Sequence, residues 1–157
     1  MFTYKYIEDL NLLVVRHYGQ YIGAENQAAI LDAYASLSPE HRASIRQILT
    51  DKSQVTHADL ADTDRARIQF FYKSMQELMP THGAVPAKPS DVTNVIVSPE
   101  NEVVRSIMEE RTRRSSTSTF DAAIAKLVND LEEAYNVLGL PEDFSIEEAV
   151  ALENPLG

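Results

Sequence analysis

The chain has 157 residues, 44% hydrophobic and 24% charged, with a formal charge of -10 from 24 acidic and 14 basic side chains. This is the profile of one globular core, not of a disordered chain, and its field repels a phosphate backbone, which argues against nucleic acid and anionic membranes as partners. The absence of cysteine excludes disulfides, thiol chemistry and Cys-ligated metal, and suits a cytoplasmic protein.

From Phe2 to Ile7 the aromatic residues Phe2, Tyr4 and Tyr6 alternate with other residues at period two, which predicts a half-buried strand and gives neither a signal peptide nor a membrane span. After a tight connection at Leu10 and Asn11, Leu12 to Tyr18 is nearly continuous in apolar character, as in a strand covered on both faces, and Gly19 to Gly23 lets the chain turn or bulge. The two strands form an N-terminal hairpin. Ile30, Leu31, Tyr34 and Leu37 recur at helical spacing over Ala24 to Leu37, and Ser38-Pro39 ends that run.

A central strand is expected from about Ser44 to Thr50, then a polar loop opened by Asp51, then a helix capped by Asp62 or Thr63 with Ile68, Phe71, Tyr72, Met75, Leu78 and Met79 on its stripe. Pro80 to Asp91, with three prolines, reads as a long extended loop. Val92 to Val97 is a β-branched run typical of a buried strand. Ser98-Pro99-Glu100-Asn101 starts a helix with Val103, Val104, Ile107 and Met108 on its inner face, fading near Arg114. Ser115 to Phe120 is expected to be an edge strand, although the last strand can also lie later. Asp121 to Leu138 is expected to be a helix ended by Gly139 and Pro141. Ser145 with Glu148 forms a capping-box pattern for a short last helix. The fold class is therefore α/β: a single-domain, mixed, mostly parallel sheet led by an antiparallel hairpin, with helices packed on it. Residues 1–140 form the domain and 141–157 a tail with a short helix.

The order of elements, with Leu13-Val14-Val15-Arg16-His17-Tyr18-Gly19, Ile48-Leu49-Thr50-Asp51-Lys52-Ser53-Gln54-Val55 and Asp130-Leu131-Glu132-Glu133-Ala134-Tyr135-Asn136-Val137-Leu138-Gly139-Leu140, resembles the STAS/SpoIIAA-like superfamily over roughly Leu10 to Leu140. The resemblance implies a regulatory module that binds a protein partner. In the anti-sigma-factor antagonists of that superfamily the loop after the central strand reads Asp-Ser-Ser-Gly and a serine is phosphorylated. The matching positions here are Asp59, Leu60, Ala61 and Asp62, so the aspartate is kept and both serines are gone. Neither Leu60 nor Ala61 can accept phosphate.

In an open α/β sheet ligands dock beyond the carboxyl ends of the strands, which makes Asp51, Ser53, Thr56, Asp59 and Asp62 the candidate partner-binding residues. Asp51, Asp59, Asp62 and Asp64 could gather around a hard cation or serve acid-base chemistry, but capping and charge-matching the start of a helix is the favoured reading of the last three. His17, His41, His57 and His82 lie in separate segments without metal-ligand spacing and are expected at the surface or in loops. Arg111, Arg113 and Arg114 before Ser115 are expected to be a solvated helix end whose charge suits the dipole. Tyr4, Tyr6, Tyr18 and Tyr21 on the hairpin are candidates to line an apolar-ligand or lipid cavity, or a dimer face. The expected function is a non-enzymatic protein-interaction module, with apolar-ligand binding as the alternative and neither metal nor cofactor. The expected partner is another protein or a second copy of the chain.

Overall fold

The computed structural model describes residues 2–59, 92–115 and 125–150, together with 66, 69, 70, 73, 74, 77, 81, 82, 85 and 86 between them. Strand β1 (Phe2–Ile7) turns through one 3-10 turn (Glu8–Leu10) and the left-handed residue Asn11 into β2 (Leu12–Ile22). Asn11 suits that place, since a short polar side chain tolerates its φ of 47°. Helix α1 (Gly23–Ser36) follows, then α2 (Pro39–Ser44) and β3 (Gln47–Asp59). The short strands β4 (Thr81–His82) and β5 (Val85–Pro86) pair with each other, where the sequence suggested only extended loop. Then come β6 (Thr93–Val97), α3 (Glu102–Ser115), β7 (Ala125–Val128), α4 (Leu131–Leu138) and α5 (Ile146–Val150).

The main sheet has the order β1-β2-β3-β6-β7. Only the β1–β2 pair is antiparallel; β2–β3, β3–β6 and β6–β7 run parallel. The expected fold class is the one observed. One face carries Leu12, Val14, Leu49, Val95, Val97 and Val128 against Ala134, Leu138, Ile146 and Val150 of α4 and α5. The other carries Phe2, Leu13 and Val15 against Ala33 and Tyr34 of α1. Ile146 and Val150, in the segment read as a tail, are thus part of the main core.

Local chemistry explains most element ends. The Ser38 side chain accepts from the His41 amide with Pro39 next to it, so the Ser-Pro pair that stops α1 also starts α2, a helix the sequence reading passed over. The Arg42 guanidinium donates to the carbonyls of Tyr34 and Leu37, at the carboxyl end of α1. Asn101 accepts from the amides of Val103 and Val104 to cap α3. Asp130 accepts from Glu133 N while the Glu133 carboxylate accepts from Asn129 N, a reciprocal box, and Gly139 with φ 62° closes α4.

Four expectations are corrected. The central strand does not end at Thr50 but runs to Asp59, because its partners on β2 continue to Ile22. The helix expected from Asp121 begins only at Leu131, and Leu127 and Val128, assigned to its stripe, belong to β7. That strand pairs with β6, the later of the two placements left open above; Ser115, expected to start the edge strand, ends α3, and 116–120 lie outside the described residues. On α3, Val104 and Met108 are buried but Val103 and Ile107 face solvent. The helix expected after Asp62 lies mostly outside the described residues, and those described there, Ala66, Gln69, Phe70, Lys73, Ser74 and Glu77, are helical.

Candidate functional site

The sheet narrows abruptly. β1 accompanies β2 only as far as His17, and β6 accompanies β3 only as far as Asp51. Beyond that shoulder, Tyr18 to Ile22 and Gln54 to Asp59 continue as a two-stranded parallel ribbon, with no other strand beside either edge among the described residues.

A buried ion pair sits at the shoulder. Arg16 and Asp51 lie opposite each other in the ladder, and Arg16 Nε donates to Asp51 Oδ2 at 2.8 Å with the residues only 5% and 1% exposed. The other carboxylate oxygen accepts from the Ser53 amide at 2.9 Å. From α5, Glu147 accepts a 3.2 Å bond from Arg16 Nη2, and the Tyr18 ring lies 5.3 Å from the guanidinium. Burial works against the charge on Arg16, but the hydrogen bond and charge of Asp51 outweigh it and hold the guanidinium pKa above its ordinary value.

The same carboxylate shapes the strand. Arg16 faces Asp51 but Tyr18 faces Gln54, so β3 spends one extra residue at Lys52-Ser53 in a bulge that the Asp51–Ser53 bond pins. An extra residue reverses the face of the residues that follow, here Gln54 and Val55, up to a second shift at Thr56. Val55 therefore joins Tyr21 instead of Asp51, and both are covered by Val104 and Met108 of α3.

His17, on the α1 side of the shoulder, is buried instead of lying at the surface as expected. The Asn26 amide oxygen accepts from the Ile22 amide, which turns its nitrogen toward His17 Nδ1 at 2.7 Å. Nδ1 must then accept, leaving the neutral ring's proton on Nε2, for which no partner exists among the described residues. Desolvation first, then the charges of Lys52 and the N-terminus, push the His17 pKa well below its ordinary value.

The predicted residues separate on this frame. Asp51 points inward and is consumed by Arg16, so it is not part of an exposed docking surface. Ser53 is half-buried in the bulge, Thr56 and Asp59 are exposed on the ribbon, and Asp62 lies outside the described residues. Asp51 and Asp59 stand eight residues apart on one strand, about 25 Å at ~3.3 Å per residue, so they do not share a cation. The tyrosines do not line one cavity. Tyr4 bonds the Ser36 hydroxyl at 2.6 Å and Tyr6 the Ser44 hydroxyl, tying β1 to α1 and α2. Tyr18 stacks on Arg16, while Tyr21 is buried beside His17 and under α3. Arg16, Asn26 and Glu147 were not singled out from sequence, and His17 was read only as a surface or loop residue. A charged residue inside the run Leu12 to His17 was the available signal, since a strand covered on both faces cannot carry an arginine without an acid.

No protein-family model and no curated protein matches the chain. Among solved structures it is similar to the anti-sigma factor antagonist SpoIIAA in its unphosphorylated form, at 10% identity and a TM-score of 0.44, covering 87% of this chain and 96% of that one. It is also similar to an uncharacterized DUF3478-family protein with a SpoIIAA-like fold from Shewanella loihica PV-4, at 17% identity and a TM-score of 0.41, covering 88% and 92%. A third similarity, to Mglu, has 19% identity and a TM-score of 0.34 over 58% of this chain and 18% of that one. No partner, phosphorylation or activity is carried over from them.

Proposed function

We propose that the chain is a non-enzymatic, STAS-like regulatory module that binds a protein partner through the ribbon of Tyr18 to Ile22 and Gln54 to Asp59. The observation that carries this reading is the ribbon itself. It leaves the sheet at the Arg16–Asp51 shoulder, has one face anchored by Tyr21 and Val55 under α3, and turns Gln20, Gln54, Thr56 and His57 into solvent. Among the described residues no other strand lies beside either edge, and strand edges offer rows of amides and carbonyls on which protein partners dock, with side chains supplying specificity. The ribbon also ends at Asp59, the first position matching the family's phosphorylated loop. With Leu60 and Ala61 in place of the serines, the reading is of a module whose binding is not gated by phosphate at that loop.

The test is affinity capture of a partner by the full chain, followed by binding measurements on two variants. Thr56→Arg with His57→Glu changes the exposed ribbon, whereas Tyr4→Phe removes a hydroxyl on the far edge of the sheet. The ribbon variant is expected to bind at least about tenfold more weakly, a change of about 1.4 kcal/mol, with the Tyr4 variant unchanged. Equal binding by the ribbon variant and the parent would overturn the proposal.

A further inference from the structure

The passage from the ribbon into α1 is held by a short chain of hydrogen bonds. Ile22 stands opposite Asp59 on the last rung of the β2–β3 ladder and donates its amide to Asn26 Oδ1 at 3.1 Å. Ile22 offers α1 no side-chain cap, so the bond reaching back from Asn26 joins the first turn of that helix to the strand. Asn26 Nδ2 in turn meets His17 Nδ1 at 2.7 Å, and both residues are buried, at 6% and 1% exposure. A His17 ring that accepts at Nδ1 fixes the orientation of the Asn26 amide. That orientation decides whether the Ile22 N–H has an acceptor.

We propose that His17, Asn26 and Ile22 form an acid-sensitive latch, in which protonation of the His17 ring turns the Asn26 amide over and releases the end of the ribbon from α1. The step follows from donors and acceptors. A proton added at Nδ1 makes that nitrogen a donor, and Asn26 Nδ2, also a donor, can no longer face it. Half a rotation of the amide puts Oδ1 against Nδ1–H. The same rotation sets Nδ2 against the Ile22 N–H, donor facing donor, and the Ile22 amide loses its acceptor.

The surroundings offer the new charge little else. The Phe2 ring of β1 lies 5.1 Å from the imidazole and the Tyr21 ring of β2 lies 5.2 Å away, while α1 supplies the neutral Asn26. The charges that act on His17 are Lys52 of β3, whose Nζ is 4.9 Å from the Tyr21 ring, and the amino terminus; both are positive, and no carboxylate among the described residues answers them. Burial and these two charges hold protonation below the ordinary histidine range, so the latch is closed at neutral pH and opens under acid. Opening is local. Tyr21 and Val55 stay under α3, and Leu12, Val14 and Leu49 stay packed on α4 and α5, so the end rung loosens while the main sheet persists.

NMR of the full chain through a pH titration tests the latch. At neutral pH the ring nitrogen shifts of His17 are expected to show a bare Nδ1 and a protonated Nε2. As His17 titrates, protection of the Ile22 amide against hydrogen exchange is expected to fall about fivefold or more, the worth of one hydrogen bond, while the Leu49 amide keeps its protection. Asn26→Asp separates the latch from plain acid unfolding. Its carboxylate accepts both from the Ile22 N–H and from a doubly protonated His17, so His17 should titrate at higher pH and Ile22 protection should no longer follow it. His17→Phe, whose ring cannot titrate, serves should Asn26→Asp alter the far-UV spectrum, and its Ile22 protection should likewise be flat with pH. A proton on Nδ1 at neutral pH, Ile22 protection that survives the titration of His17 in the parent, joint loss of Ile22 and Leu49 protection, or variants that keep the parent's pH dependence would each overturn the proposal.

Discussion

Replacing Asp51 by alanine tests the central claim about the shoulder. The substitution leaves Arg16 buried at 5% exposure without its 2.8 Å acceptor and takes from the Ser53 amide the oxygen that pins the bulge. Breaking a buried ion pair by removing one partner costs about 3–5 kcal/mol, because the remaining charge stays out of water. Glu147 remains as a counter-ion at 3.2 Å, but 64% of its side chain is exposed, and a screened pair of that kind contributes at most about 1 kcal/mol. The expected loss is therefore about 3 kcal/mol, a large share of the 5–15 kcal/mol typical of a domain. Urea unfolding followed by far-UV circular dichroism, with an unchanged denaturant slope, gives the number directly. Arg16→Met combined with Asp51→Leu removes both charges at similar volume and should cost less than Asp51→Ala alone, leaving mainly the Ser53 amide unsatisfied, about 1 kcal/mol. Two results would refute the reasoning: a loss below about 1 kcal/mol for Asp51→Ala, or a double variant as destabilised as the two single variants summed.

Leu49→Ala, at a fully buried position between Val14 and Val95, should cost about 2–5 kcal/mol in the same assay, and a loss well under 1 kcal/mol would place Leu49 outside the core. Asp130→Ala removes the cap of α4 and should cost about 1 kcal/mol; a melting temperature equal to the parent's would mean the cap bond contributes nothing. Because burial lowers the folded-state pKa of His17, the unfolded chain binds more protons below its ordinary value near 6.5. The stability tied to its neutral form is then complete above that pH and lost as pH falls toward the depressed value, by up to about 1.4 kcal/mol per pH unit. His17→Phe should flatten the stability profile between about pH 6.5 and 5, and an unchanged slope would show that another group titrates there.

Much of the architecture is written in short-range patterns. Phe2, Tyr4 and Tyr6 at period two, the run Leu12 to Val15 and the β-branched stretch Val92 to Val97 announce their strands, because alternation and β-branching are properties of the chain itself. Gly139 marks the end of α4 for an equally local reason, the left-handed backbone that glycine adopts at little cost. Ser145 announces α5 in the same way, its hydroxyl accepting from the Glu148 amide. The other features depended on partners distant in sequence. Gln54 to Asp59 is too polar to read as strand, and it is one only because Tyr18 to Ile22 lies alongside. Ala125 to Val128 is four residues long, and its apolar spacing merges with the stripe of α4 until β6 supplies the neighbour that makes it extended. The spacing of Val103, Val104, Ile107 and Met108 predicts a helix but not which side meets the sheet; Tyr21 and Val55 decide that, and Val55 faces them only because of the bulge at Lys52-Ser53. Asp51 reads locally as the polar start of a loop. It is buried because an arginine thirty-five residues earlier occupies the opposing rung of the ladder, and a buried charge is decided by its partner in space, not by its neighbours in the chain.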